Sequence, residues 1–81
     1  MDVIFQHRQF GELCDDQRRL KKELGDQQAK RLIMRLEALK AVRNLAEMRT
    51  LPGRCHGLIG DRWGQFSLDL VHPYRLIFVP N

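Results

Sequence analysis

The chain has 81 residues, of which 14 are lysine or arginine and 10 are aspartate or glutamate, so its formal net charge is +4. This length allows one domain, residues 1–81, with a single small core. No apolar run approaches the roughly 20 residues that cross a bilayer, so we expect a soluble protein with no membrane contact. The basic excess suits a polyanionic partner, and two cysteines far apart in the sequence are typical of reduced thiols in the cytoplasm.

The first half of the chain is predicted to form one strand and two helices. Val3-Ile-Phe5 is a short β-rich run. A stripe with steps of three and four residues then predicts one helix; it consists of Phe10, Leu13, Cys14, Gln17, Leu20 and Leu24. Gly25 can adopt the left-handed conformation that ends a helix, and Asp26 can cap the next helix, residues 26–47. The core-facing stripe of that second helix is predicted to be Ala29, Leu32, Ile33, Leu36 and Leu39.

The second half of the chain is predicted to form a sheet. Pro52-Gly53 ends the helical part, because proline cannot continue a helix. Apolar residues then alternate with polar ones, and His72-Pro73 makes the turn between the last two strands. The alternation groups Phe66, Leu68 and Leu70 on one face of the first of these strands, and Tyr74, Leu76 and Phe78 on one face of the second.

The predicted fold is therefore α+β, with the element order β-α-α-β-β-β and both helices on one face of an antiparallel sheet. Arg75, Ile77 and Val79 fall on the opposite, open face of the last strand. An arginine in an otherwise apolar strand needs an anion, which makes Arg75 the first candidate for a binding residue.

The element order and four segments resemble the HigB-type toxins of the RelE/ParE superfamily, which belong to type II toxin–antitoxin modules. The segments are residues 29–39, Leu51-Pro-Gly-Arg-Cys-His, Gly60-Asp-Arg and Tyr74-Arg-Leu-Ile-Phe. The loop with its Gly-Asp-Arg and the strand arginine are the most specific parts. The resemblance implies a toxin that enters the A site of the ribosome, cuts mRNA and is neutralised by a HigA-type helix-turn-helix antitoxin.

The resemblance also implies that cleavage needs no metal ion and no other cofactor. RNA is cut when its 2′-hydroxyl is held in line with the neighbouring phosphate, so the protein must hold the backbone, neutralise charge and move protons. By match to the family's motifs, Arg75 is the candidate for the phosphate contact, and His56 is the candidate for proton transfer or a phosphate contact. The other RNA-contacting candidates are Arg54 and Arg62 near the loop, and Lys30 and Arg31 on the second helix.

Each of these residues also has a purely structural interpretation. Arg75 could be a solvated strand residue or the partner of Asp69 across the hairpin, and His56 could be an ordinary loop histidine. Trp63 could stack on a base or cover the core. The basic helix residues could form a solvated face or contact ribosomal RNA by charge; they are Lys21, Lys22, Lys30, Arg31 and Arg35.

Two departures from the family pattern bear on activity. Ile59 stands where these toxins place a lysine before Gly-Asp-Arg. The chain also ends at Asn81, where family members continue into a further strand and an Asp-x-His segment that supplies catalytic groups. If that strand is missing, the edge of residues 74–79 is open, which predicts pairing with a partner strand or self-association.

Three functions remain open at this point. The first is a ribosome-dependent mRNA endonuclease, and the second is a truncated toxin-like module that binds antitoxin or ribosome without cutting RNA. The third is a ParE-like inhibitor of DNA gyrase, which a supercoiling assay would identify. An arginine on the open sheet face favours the first of these over the third.

Overall fold

The computed structural model describes all 81 residues, Met1–Asn81. Four helices and a four-stranded antiparallel sheet form the α+β fold that the sequence predicts. None of the helices has the length and apolar character needed to cross a membrane. In chain order the elements are β1 (Val3–Ile4), α1 (Arg8–Cys14), α2 (Gln17–Leu24), α3 (Asp26–Ala41), α4 (Leu45–Met48), β2 (His56–Gly57), a 3₁₀ turn (Gly60–Arg62), β3 (Phe66–Asp69) and β4 (Arg75–Pro80).

The first predicted helix is in fact two helices, α1 and α2, and the sequence prediction is wrong on this point. The side chain of Asp16 accepts hydrogen bonds from the main-chain N–H groups of Arg18 and Arg19, at 3.1 and 3.2 Å. Asp16 therefore caps the start of α2, which needs acceptors for its free amides. The predicted stripe crosses this break at the polar Gln17, the first residue of α2, and its helical spacing alone does not reveal the break.

The two boundaries of α3 are set by local capping. Gly25, with a φ of 80°, ends α2 as predicted, but it is also the N-cap of α3, while Asp26 lies inside the first turn and makes no capping bond. Val42 is extended after α3, and the Asn44 side chain accepts from the N–H of Glu47 at 3.0 Å to start α4. The predicted helix 26–47 is therefore a longer and a very short helix.

The strand order in the sheet is β1-β4-β3-β2, so β4 lies between β1 and β3. All of β3 pairs with β4, from Phe66 opposite Phe78 to Asp69 opposite Arg75. In contrast, β1 pairs only with Val79 and Pro80 at the end of β4. The predicted open edge is therefore closed at the end of β4, and no strand lies beside residues 75–78 on that side.

The core lies between the helices and one face of the sheet, as predicted. Leu68, Leu76 and Phe78 are buried on that face, and Arg75 is exposed on the other face. Tyr74, which was predicted on the core face, is 65% exposed because it lies in the turn before β4. From the predicted stripe of α3, Ala29, Leu32 and Leu39 are fully buried, and Ile33 and Leu36 are half-buried.

Arg35 occupies the middle of this buried stripe, although the sequence placed it on a solvated face. Its side chain is only 8% exposed, and its Nε donates a hydrogen bond to the main-chain carbonyl of Asp69 at 2.9 Å. Burial, followed by the positive charge of Arg31, lowers the pKa of the Arg35 guanidinium. Arg35 therefore joins α3 to the end of β3 through a polar bond within the core.

The guanidinium stem of Arg35 lies directly against Gly53. A Cβ atom at Gly53 would lie 2.9 Å from Arg35 Nε and 3.2 Å from Leu68 Cδ2, and Gly53 has a φ of 118°. A real Cβ cannot approach a neighbour this closely, and L-residues avoid this φ. Glycine is therefore required here for both space and backbone conformation.

We expect the substitution Gly53→Ala to lower the free energy of unfolding by more than Gly64→Ala does. Gly64 also has a positive φ, 93°, but a Cβ there meets nothing within 4 Å, so it reports the backbone strain alone. The additional loss at Gly53 should be about 1–3 kcal/mol, from displacement of Arg35. Urea unfolding of both variants measures this difference, and equal losses would show that the contact with Arg35 is unimportant.

Candidate functional site

Asp69, at the end of β3, is the centre of the candidate site. Its main-chain N–H donates to the carbonyl of Gly53 at 2.7 Å, and its own carbonyl accepts from Arg35 Nε. Its carboxylate accepts from Arg54 Nε at 2.5 Å, which is a short, charge-assisted bond. Asp69 thereby fixes the loop before β2, the helix α3 and the strand β3 relative to one another.

Arg75 is directly opposite Asp69 in the β3–β4 register. The Asp69 carboxylate nevertheless pairs with Arg54, and Arg75 forms no salt bridge and no side-chain hydrogen bond in the protein. The interpretation of Arg75 as the ion-pair partner of Asp69 is therefore wrong. An exposed guanidinium without a partner is free to bind an anion from outside the protein.

The conformation of Arg54 is unusual and is tied to the site. It is the only non-glycine residue with a positive φ, 50°, and it follows Gly53, which also has a positive φ. Such a conformation is costly for an L-residue and persists only where surrounding contacts hold it. Those contacts are the ion pair of Arg54 with Asp69 and the bond of its carbonyl to His56.

His56, in β2, lies opposite Ser67 and has an exposed side chain on the open face. Its ring Nδ1 lies 2.9 Å from the carbonyl oxygen of Arg54. A carbonyl can only accept, so this bond requires the proton on Nδ1 and leaves Nε2 unprotonated in the neutral ring. Nε2 is then available to accept a proton from a substrate.

Charge at the site is unevenly distributed. The hydrogen bond from Arg54 is the main cause of a lowered pKa of Asp69; partial burial opposes it, and the charges of Arg54, Arg75 and His56 add to it. The same bond raises the pKa of Arg54. One carboxylate thus faces two arginines and a histidine, so the cluster has an excess of positive charge.

Arg62 reaches the same surface from the 3₁₀ turn. Together with Arg75 it lines a groove of about 440 Å³ along the uncovered edge of β4, which we call the β4 groove. Arg62 makes no ion pair. Of the six predicted site residues, Arg54, His56 and Arg75 therefore lie around Asp69, and Arg62 lies with Arg75 in the β4 groove.

The other two predicted residues, Lys30 and Arg31, lie on α3, across the sheet from His56 and Arg75. Lys30 is exposed, Arg31 is half-buried, and neither has a salt bridge or side-chain hydrogen bond. Arg31 lies one turn before Arg35, at the Asp69 end of the molecule. These two residues are not part of the cluster and could only extend a basic surface around it.

Two residues that the sequence did not mark as site candidates, His72 and Tyr74, also lie beside the cluster. They line a small cavity of about 180 Å³ together with Arg54, Asp69 and Arg75. Their positions follow from the hairpin turn, which Gln28 of α3 holds by bonding both the N–H and the carbonyl of Val71, at 2.9 and 3.3 Å. The signal available in the sequence was the closeness of both residues to Arg75.

The loop between β2 and β3 exposes two large apolar side chains. Trp63 is 84% exposed and Ile59 is 87% exposed, and they flank the 3₁₀ turn that carries Arg62. Trp63 therefore does not cover the core, which was one of its two interpretations.

No protein-family model matches the sequence, and searches among curated proteins and among solved structures find no significant match to it. The functional interpretation therefore depends on the geometry and chemistry of the side chains described above.

The lowered pKa of Asp69 predicts how acid affects stability. The bond to Arg54 stabilises the folded protein above the unfolded-state pKa of an aspartate, about 3.9, and this contribution is lost as the pH falls through the lower folded-state pKa. The variant Asp69→Asn lacks this pH-dependent part. Its free energy of unfolding in urea should therefore fall less between about pH 6 and pH 2 than that of the wild type.

A matched control for this measurement is Asp61→Asn. Asp61 is an exposed carboxylate in the 3₁₀ turn without a salt bridge or side-chain hydrogen bond. The free energy of unfolding of the Asp61→Asn variant should change with pH as that of the wild type does. If Asp69→Asn also retains the wild-type pH dependence, the Arg54–Asp69 pair does not contribute to acid sensitivity.

Proposed function

We propose that the protein binds an RNA backbone on its open sheet face and cuts it, as the toxin of a type II toxin–antitoxin module. The observation that supports this most directly is the convergence of Arg54, His56 and Arg75 around one carboxylate, Asp69. Positive charge is in excess there, and Arg75 has no partner within the protein. A phosphate group would supply the missing negative charge.

The proposed chemistry uses side chains of this chain alone. His56 Nε2 takes the proton of a 2′-hydroxyl, and that oxygen attacks the adjacent phosphorus while Arg75 and Arg54 stabilise the negative charge of the phosphorane. The bond from phosphorus to the 5′ oxygen breaks, and His72, which lines the small cavity with Arg54, Asp69 and Arg75, gives that oxygen a proton. The products are a 2′,3′-cyclic phosphate and a 5′-hydroxyl.

In this proposal the substrate is mRNA on the ribosome, the partner is a HigA-type helix-turn-helix antitoxin, and the location is the cytoplasm. The net charge of +4 and the unpaired Lys30 and Arg31 would support contact with ribosomal RNA. A second candidate is a toxin-like module that binds RNA without cutting it. It is favoured by the Arg54–Asp69 bond, because an arginine already held by a carboxylate contributes less charge to a phosphorane.

Binding of RNA is tested with a short single-stranded oligoribonucleotide and a salt titration. Arg75→Ala should weaken binding at low salt by about tenfold and reduce the slope of log K against log salt by about 0.7, the loss of one phosphate contact. The control Arg18→Ala removes an equal charge from the exposed surface of α2, and should change the affinity by much less. If the two variants weaken binding equally, the open face is not the RNA site.

Cleavage is tested by induced expression followed by mapping of transcript ends. The wild type should arrest growth and leave mRNA cut on translating ribosomes. His56→Ala should reduce the rate of cutting by about 100-fold or more, because the proton acceptor is lost. The variant should still bind the oligoribonucleotide. Intact transcripts together with normal binding by the wild type would exclude the nuclease and support the non-cutting module.

A further inference from the structure

The edge of β4 that faces away from β3 is only partly covered. Hydrogen bonds run from the N–H of Leu70 to the carbonyl of Tyr74, and from the N–H of Asn81 to the carbonyl of Asp2, each at 3.0 Å. Because bonding pairs alternate along antiparallel strands, these bonds fix the direction of every main-chain group in β4. The N–H and C=O groups of Arg75 and Ile77 point away from β3, toward the side where β1 is too short to reach.

Nothing else in the protein bonds to this part of the edge. The turn, loop and side-chain hydrogen bonds do not include the main chain of Arg75 or Ile77. Unpaired strand edges of this kind accept an added strand from another chain. The four free groups therefore form a template for one further segment of strand.

The β4 groove beside this edge has an apolar and basic lining. Ile4, opposite Val79, lies on the open-face side of it, and Phe10 packs against the core. Arg62 and Arg75 provide its positive charge, and no aspartate or glutamate lines it. A strand that occupied the groove would meet Arg62 and Arg75 but no carboxylate of the groove itself, because Asp69, opposite Arg75 on β3, is already paired with Arg54. Acidic side chains on that strand would supply the carboxylates that balance the charge of these arginines.

We propose that the uncovered edge of β4 at Arg75 and Ile77 is a docking site for an extended, acidic segment of a partner protein, which adds a fifth strand to the sheet. The segment pairs antiparallel with β4, as the neighbouring strands do. This inference goes beyond the proposed RNA chemistry and does not depend on it, since it rests on unpaired main-chain groups.

Charge and hydrogen bonding argue against two other occupants. A second copy of this chain, paired edge to edge about a two-fold axis, would bring both copies' Arg62 and Arg75 onto one face with no carboxylate between them. An RNA backbone offers phosphate acceptors to the N–H groups, but only its 2′-hydroxyls could donate to the carbonyls of Arg75 and Ile77. A peptide main chain satisfies both kinds of group.

The register predicts which residues of the added strand bond to the main chain of β4 and on which face of the sheet their side chains lie. Directly opposite residues in an antiparallel pair have side chains on the same face, and Arg75 is in the hydrogen-bonding orientation toward the free edge. The residue opposite Arg75 therefore both bonds to its main chain and projects onto the open face. In a peptide that alternates glutamate with valine, the glutamates should occupy these positions, and the valines should lie toward Phe10.

The experiment uses the full 81-residue chain and an acetylated, amidated ten-residue peptide that alternates glutamate with valine. N-methylation of the glutamate amides should weaken binding by about tenfold or more, because the bonds to Arg75 and Ile77 are lost, whereas N-methylation of the valine amides should change it less than about threefold. Bound peptide should slow hydrogen exchange at the amides of Arg75 and Ile77. Arg75→Glu should reverse the preference toward a lysine–valine peptide, and Arg18→Glu should not.

The wild-type comparison of the two methylated peptides is independent of whether Arg75→Glu folds. Equal effects of the two methylation patterns, protection of amides elsewhere, or no binding of the glutamate–valine peptide would each overturn the proposal. So would a concentration-dependent dimer that protects the same two amides in the absence of peptide, since the edge would then belong to a second copy. None of these outcomes depends on RNA cleavage, so failure here is distinct from failure of the proposed nuclease.

Discussion

The main chain and side chain of Asp69 make three bonds on which the candidate site depends. One bond goes to the loop at Gly53, one to the buried Arg35 of α3, and one to Arg54. The main-chain bonds use groups that every residue has, but only a small residue at Gly53 lets Arg35 reach the strand. The positions of the charged groups on the outer face are therefore determined by a contact inside the core, on the opposite side of the sheet.

This arrangement explains why Arg54 and Arg75 differ although both are exposed arginines next to the same carboxylate. Arg54 is held by Asp69 and by its left-handed backbone, so it contributes a charge in a fixed position. Arg75 lies opposite Asp69 but is left unpaired, and it also borders the β4 groove. Because Arg75 belongs to both the proposed RNA site and the groove, occupation of the groove by a peptide would compete with RNA for the same arginine.

The sequence predicts the parts of the fold that have few alternatives. A strand has only two faces, so the apolar residues Leu76 and Phe78 place Arg75 on the open face. The sequence also marks Arg54, His56, Arg62 and Arg75 as candidates. Their positions relative to one another come from the order of the strands in the sheet, which their spacing in the sequence does not show. Charge made Arg35 look like a surface residue, even though it lies three residues after Leu32 and four before Leu39, because its partner is a main-chain carbonyl that only the folded chain supplies. The break at Asp15 and Asp16 and the role of His72 also depend on local hydrogen bonding and turn geometry, which apolar periodicity does not report.

The position of the single tryptophan determines what its fluorescence reports. Trp63 is 84% exposed on the loop that carries Arg62, and it has no part in the core. Its emission in the folded chain is therefore already close to that of a solvated indole, and denaturation shifts the spectrum little even when Leu32 and Phe78 become exposed. The same indole lies beside the basic surface, where an arriving ligand changes its surroundings. Trp63 is thus a poor probe of the folded state and a sensitive, built-in reporter of the loop.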